Sequence, residues 1–393
     1  MGFNLQRYIP RRLENEIRSS LHSFPVTALL GPRQCGKSTL ARHIVNGRED
    51  TVFLDLEKPS DFRKLYDPEF FFHTQKEKLI CIDEVQMGPE LFPILRVAVD
   101  ENRRPGAFFL LGSASQDLIR RSSETLAGRI HYIELTPFTY DELAATTPTQ
   151  DGDPTKLWFR GGFPEAVLAR SDTISITWRE DFIRTFLERD IPQFGFTIPS
   201  VIMRRFWTML AHYHGQLMNN SKLGQALGVT HPTIKRYLEI LTQTYMVRAL
   251  PPYAANIKKR LVKSHKIYLR DSGILHTLLE IDSLEDLLGH PVAGTSWEGF
   301  CLEQILAMRP EYRASFYRTS SGEEIDLVLE RGKRRLAFEF KASISPKVSR
   351  GFSNTLEVLK PEHTWIVAPV RESYPLQPGV TVAHLQDVLN ALS

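Results

Sequence analysis

An α/β protein of several domains is what this sequence predicts, and three segments carry the prediction. Gly31–Thr39 reads GPRQCGKST and fits G-x-x-x-x-G-K-[ST], with an apolar run before it (Val26–Leu30) and a helix-forming run after it (Leu40–Val45). Leu79–Glu84 (LICIDE) is an apolar run that ends in two carboxylates. Ala107–Ser115 (AFFLLGSAS) is a third, ending in hydroxyls. Near-continuous apolar runs of this length are strands covered on both faces, and strands alternating with helices predict a doubly wound parallel sheet over residues 1–140.

The first segment is a phosphate cradle, because strand, glycine-bearing loop and helix follow in the order the chemistry needs. Backbone N–H groups of Gly31, Pro32, Arg33, Gln34, Cys35 and Gly36 (proline excepted) would surround a phosphate at the positive end of the helix that carries Ser38 and Thr39. Lys37 is placed to reach β- and γ-phosphates, and Ser38 to ligate Mg²⁺. The second segment delivers Asp83, a candidate for the Mg²⁺ shell, and Glu84, a candidate base for the attacking water. ATP and Mg²⁺ are the cofactors these positions imply. In the third segment Ser113 is a candidate to bond that water or the γ-phosphate. A helix over residues 116–126 then leads to Ala127-Gly128-Arg129, where Gly128 is a helix stop, and to a strand, Ile130–Leu135. Arg11–Leu21 is the expected opening helix.

The order of P-loop, IDEVQ, LGSAS, LAGR and FRGGFPEAV (Phe159–Val167) resembles the AAA+ ATPases. More narrowly, it resembles bacterial and archaeal members in which the AAA+ module precedes a C-terminal domain of restriction-endonuclease-like fold. The resemblance implies ATP hydrolysis and a homo-oligomer, with a ring as one form. It also implies that Arg129 reaches a neighbour's γ-phosphate as an arginine finger, which adds charge as the transition state forms. An arginine that is merely salt-bridged at the surface is the plainer alternative.

Composition sets limits on the rest. The 393 residues exceed one hydrophobic core. Net charge is only +3, so no global basicity announces nucleic acid. The three cysteines, Cys35, Cys81 and Cys301, are too scattered for a disulfide framework and fit a reducing cytoplasm. No apolar run approaches the about 20 residues of a spanning helix, so no membrane partner is expected.

Downstream of the core, residues 141–195 read as a helical lid after a loop at Thr146–Pro154, with Glu188-Arg189-Asp190 as a charge cluster in a surface or interdomain salt bridge. Residues 196–270 read as a winged helix-turn-helix. Ser221–Leu227 is a helix, Gly228 a turn, and Thr230 the cap of a second helix, Pro232–Gln243. Ile234, Tyr237, Leu238 and Leu241 face inward, and Lys235 and Arg236 lie near the open face. Tyr245–Ala249 and Lys266–Leu269 supply the wing strands. Asn256–Arg270 carries Lys258, Lys259, Arg260, Lys263, Lys266 and Arg270 with no acid, which makes it a candidate grip on duplex or branched DNA.

Residues 271–393 contain GEEIDLVL (Gly322–Leu329) and LAFEFK (Leu336–Lys341), two strands joined by a short turn. Glu339 and Lys341 share one face by the period of two. With Asp326 on the partner strand and Glu298 on an upstream helix (Ser296–Met308), they resemble the PD-(D/E)xK nuclease site. That resemblance implies Asp326 and Glu339 as Mg²⁺ ligands and Lys341 as charge stabiliser. Three functions are therefore weighed: a DNA-dependent ATPase or motor, first; an ATP-regulated, Mg²⁺-dependent nuclease, second; and a nucleotide-dependent protein-binding switch or scaffold, third.

Overall fold

The computed structural model of the chain describes residues 8–113, 124–146, 153–253, 262–348 and 350–393. Two compact units are present, Met1–Phe138 with Gln243–Tyr245, and Thr139–Thr242 with Met246–Ser393.

The first unit is built on five parallel strands: β1 (Val26–Gly31), β2 (Thr51–Asp55), β3 (Leu79–Asp83), β4 (Phe108–Ser113) and β5 (Ile130–Glu134). Their spatial order is β2-β3-β4-β1-β5. Position in the sheet explains composition. The central strands β3, β4 and β1 are buried at every residue, whereas the edge strands β2 and β5 are largely half-exposed. Alternate residues of β1 serve opposite faces. Val26, Ala28 and Leu30 join Leu95 and Val99 of helix α3 (Leu91–Glu101). Leu29 joins Ile17 and Leu21 of α1 (Glu14–Ser23) and Leu40 and Ile44 of α2 (Lys37–Val45). The opening helix thus starts at Glu14 rather than Arg11. Most of the helix expected over residues 116–126 and of the loop at Thr146–Pro154 lies outside the described residues.

In the second unit the region expected as a lid does not have a core of its own. Phe163, Phe182 and Phe186 share one apolar cluster with Trp207, Ile234 and Leu275. Helix α4 (Asp172–Thr185) is capped by the Ser171 hydroxyl and runs into a π-helical turn, Phe186–Asp190. Asp190 in that turn is buried, not at the surface. Helix α5 (Ser200–His212) leads to α6 (Asn220–Leu227), which is capped by the Asn219 side chain and stopped by Gly228 at φ +68°. Helix α7 (His231–Gln243) follows, with Ile234, Tyr237, Ile240 and Leu241 buried and Lys235 and Arg236 exposed, as is Lys222 of α6. A small antiparallel sheet, in the order β6 (Gln216–Leu217), β8 (Lys266–Leu269), β7 (Val247–Leu250), adjoins them in sequence. Lys258, Lys259 and Arg260 lie outside the described residues.

FRGGFPEAV is a docking turn. Gly162 N–H donates to Asp271 Oδ2 at 2.8 Å, just before helix α8 (Ser272–Leu278). The fully buried Arg179 donates to the carbonyls of Phe159 (3.3 Å) and Gly273 (2.7 Å). Helix α9 (Ala293–Met308) is buried on nearly every side, which accounts for its lack of a polar face. It precedes a meander of β9 (Arg313–Arg318), β10 (Glu324–Arg331) and β11 (Arg334–Phe340). Helix α10 (Arg350–Leu359) then crosses to β12 (His363–Val367), parallel to β11. Strands β13 (Tyr374–Gln377) and β14 (Val380–Ala383) complete the order β13-β14-β12-β11-β10-β9, and helix α11 (Leu385–Leu392) ends the chain.

Candidate nucleotide site and a carboxylate cluster

Parallel strands bring their carboxyl ends to one edge, and there β1, β3 and β4 deliver the P-loop, Asp83 and Ser113 together. Gly36 sits at φ +98°, a conformation glycine supplies without strain, and the helix starts at the next residue. The Lys37 ammonium is buried and donates to the carbonyls of Gly31 (3.1 Å) and Pro32 (2.7 Å). These bonds hold it over its own loop and use two of its three donors. Asp83 is buried, accepts from the Glu84 N–H at 3.1 Å and lies beside the Ser38 hydroxyl. Burial pushes the Asp83 carboxyl up, and the Ser38 hydroxyl opposes it. A hydroxyl and a carboxylate in contact beside a phosphate loop are a donor set that fits Mg²⁺.

Glu84 adopts the left-handed conformation (φ 55°) at the strand end. Its carboxylate accepts from Gln86 Nε2 and lies 3.7 Å from Arg33 Nη2. Ser113 pairs in register with Gly31, and its Oγ is buried with no hydrogen-bond partner among the described residues. Cys35 contributes backbone only: its thiol is buried in the core against the Leu135 carbonyl, and burial raises its pKa. Gln34 and Thr39 are exposed.

Arg129 stands at the far end of the sheet from the P-loop. Its carbonyl pairs with the N–H of Val26, the first residue of β1, and its guanidinium grips Asp100 at 2.7 and 2.9 Å. It is therefore not placed to act on the nucleotide of its own chain. Arg11 was not legible as a site residue, yet it braces the loop. It donates to the carbonyls of Cys35 (3.0 Å) and Thr136 (2.7 Å) over the Phe138 ring. Its partners lie 24 and 125 residues away, beyond any spacing rule.

In the second unit, Glu298, Asp326, Glu339 and Lys341 do converge, with Lys341 Nζ 2.7 Å from Glu339 Oε1. Sequence reasoning missed the centre of the group. Lys266, expected as an exposed wing cation, is buried on β8 with its ammonium 3.0 Å from Glu298, 2.6 Å from Glu324 and 3.2 Å from Asp326. Tyr268, two residues on and on the same strand face, donates its hydroxyl to Glu298. Arg270, also assigned to the wing, instead pairs with Glu303 of α9 at 3.0 Å, as does Arg248. A lysine opening the otherwise apolar run KIYL was the available signal.

Burial tends to lower the Lys266 pKa, but Glu298 and Asp326 override it and hold the ammonium well above its usual range. Burial, then the Asp326 charge, pushes Glu298 up to about 7 and Glu339 up to about 8. Mg²⁺ was expected on Asp326 and Glu339. Three of their four oxygens are already taken. Asp326 Oδ1 faces Lys266, Oδ2 accepts the Phe340 N–H at 3.1 Å, and Glu339 Oε1 holds Lys341. Among the described residues no group of three His, Cys, Asp or Glu is disposed to hold a metal ion.

Comparison with known proteins places these observations. A family model described as an AAA domain matches residues 23–144. Models described as domains of unknown function, DUF8612 and DUF4143, match residues 152–285 and 293–388. The Mycobacterium tuberculosis protein Rv2008c is 42% identical over 373 residues, 95% of this chain and 83% of that one, and the Mycobacterium bovis protein Mb2031c matches equally. Among solved structures, the Walker-type ATPase PABY2304 of Pyrococcus abyssi aligns with a TM-score of 0.51 at 16% identity, over 69% of this chain and 96% of that one. The AAA-domain match and the shared fold make this chain an AAA-like P-loop ATPase, and it belongs to the family of Rv2008c and Mb2031c.

Proposed function

We propose that the chain is a DNA-dependent ATPase in which hydrolysis at the P-loop drives a nucleic-acid-binding second unit. The observation that carries the ATPase half is the convergence of Lys37, Ser38, Asp83, Glu84 and Ser113 on one sheet edge. Lys37 binds and orients the β- and γ-phosphates. Ser38 and Asp83 would hold Mg²⁺, which when bound neutralises phosphate charge. Glu84 takes the proton of the attacking water, and the Ser113 hydroxyl positions that water or the γ-phosphate.

The DNA half rests on helix, glycine turn and capped helix over Asn219–Gln243, with the three-stranded sheet as a wing and Lys222, Lys235 and Arg236 exposed. With Lys266 and Arg270 buried or paired, Lys222, Lys235, Arg236 and Lys263 are exposed basic residues of this region, beside Arg204 and Arg205 of α5. Arg129, half-buried and remote from its own P-loop, is a finger for a second copy in a homo-oligomer. Reduced buried cysteines accord with a cytoplasmic protein, and no helix among the described residues is long and apolar enough to cross a membrane.

The test is ATP turnover by the wild type and Lys37→Ala, alone and with duplex, single-stranded and branched DNA. Turnover absent in Lys37→Ala and stimulated by DNA is expected. No binding and no stimulation by any of the three would end the DNA reading. Mass in solution with and without ATP, beside turnover of Arg129→Ala, tests the finger; normal turnover in that variant removes it.

A further inference from the structure

Four carboxylates, Glu298, Glu324, Asp326 and Glu339, meet in the second unit, and a nuclease reading would place a divalent ion among them. A cation is already there. The Lys266 ammonium lies within 3.2 Å of three of them, and Lys341 and Arg318 take the outer oxygens of Glu339 (2.7 Å) and Glu324 (3.1 Å). We propose that Lys266 is the resident cation of this cluster, so that the C-terminal domain holds an ammonium where a metal-dependent nuclease holds its metal and does not cleave phosphodiesters.

Three observations support this. Lys266 sits on β8, one of the buried strands of the unit, and cannot swing into solvent without leaving Glu298 and Asp326 uncompensated. Its partners are held by further donors: Tyr268 of the same strand donates to Glu298, and the Phe340 N–H of β11 donates to Asp326. A divalent ion on Asp326 would lie against the ammonium, and Asp326 Oδ1, Asp326 Oδ2 and Glu339 Oε1 are already held by Lys266, the Phe340 N–H and Lys341, which leaves Glu339 Oε2 as the buried oxygen without a partner among the described residues. The cluster therefore acts as a clamp. Lys266 joins β8 of the small sheet to α9 through Glu298 and to β10 through Glu324 and Asp326. Arg248 and Arg270 make a second tie to α9 at Glu303. The small sheet, α9 and the six-stranded sheet are thereby fastened as one piece.

The proposal is independent of the ATPase reading, since ATP turnover is measured separately. Nucleotide-free full-length protein is titrated with Mn²⁺ by electron paramagnetic resonance, as wild type and as Asp326→Asn. Superposable isotherms are expected, together with no plasmid nicking by the wild type in Mg²⁺ or Mn²⁺. A Mn²⁺ site or a nicking activity that disappears in Asp326→Asn overturns it. The clamp is tested by melting temperature. Lys266→Met should lower Tm by roughly 6–20 °C or fail to accumulate in soluble form. Adding Glu298→Gln and Asp326→Asn to it should restore much of the loss, because the uncompensated charge goes with the carboxylates. A Lys266→Met protein that melts with the wild type, or a triple variant no better than the single one, also overturns the proposal.

Discussion

Replacing Ser113 with alanine should make the nucleotide-free protein more stable and the enzyme slower. The hydroxyl is buried at 2% exposure and has no hydrogen-bond partner among the described residues. A buried polar group left unpaired costs about 1–3 kcal/mol, whereas the alanine gives up only a small volume. A net gain of about 1 kcal/mol corresponds to a rise in Tm of roughly 2–4 °C. With Mg²⁺ and ATP the same hydroxyl would bond the γ-phosphate or the attacking water. A hydrogen bond to a charged group is worth about 1.5–3 kcal/mol, so kcat should fall roughly 10- to 150-fold with little change in KM. Thermal melts without nucleotide and a coupled assay for released phosphate read the two effects on one preparation. A Ser113→Ala protein that melts below the wild type shows that the hydroxyl was making a stabilising bond after all. Unchanged turnover shows that it does not touch the reacting groups. Either result refutes the reasoning.

Glu84→Gln should keep nucleotide binding and reduce turnover by about 10²- to 10⁴-fold, the usual reach of a general base; hydrolysis at the wild-type rate would show that Glu84 is not the base. Gly273→Ala should destabilise the second unit by about 1–3 kcal/mol in chemical denaturation, because its Cβ would lie 2.1 Å from the Arg160 carbonyl oxygen; an unchanged midpoint contradicts this. The His276 ring lies between the Phe159 carbonyl (2.9 Å) and the Ser296 hydroxyl (2.7 Å), and burial pushes its pKa down to about 3. Its stabilising share is whole above pH about 6.5 and is lost as pH falls below that, since only the unfolded chain then takes up the proton. Between pH 7 and 5 the wild type should lose about 2 kcal/mol more than His276→Gln. The raised carboxyls of Glu298 and Glu339 act the opposite way but equally in both proteins, so they cancel in the difference. Equal losses in urea unfolding at the two pH values would dispose of the idea.

Residues that act through neighbours in sequence could be read from the sequence. The P-loop, the LICIDE strand and the LGSAS strand announce themselves because a parallel strand buried on both faces must be apolar, and its carboxyl end is where polar chemistry can begin. The turn at Gly228 and the cap at Thr230 are local for the same reason: each closes hydrogen bonds within a few residues. Lys37, Asp83 and Glu84 were therefore legible as to place.

Residues whose meaning depends on distant partners could not be read this way. Lys266 looked like one more charge in a basic run until β8 was placed beside α9 and β10, where three carboxylates hold its ammonium. Arg11 looked like the start of a helix until the Cys35 and Thr136 carbonyls were found around it. The sequence by itself determined the nucleotide-binding chemistry, because strand period and loop composition encode it locally. Only the tertiary structure decided the state of the carboxylate cluster. Whether buried acids face a metal or an ammonium depends on which strand packs against them, and no local pattern records that.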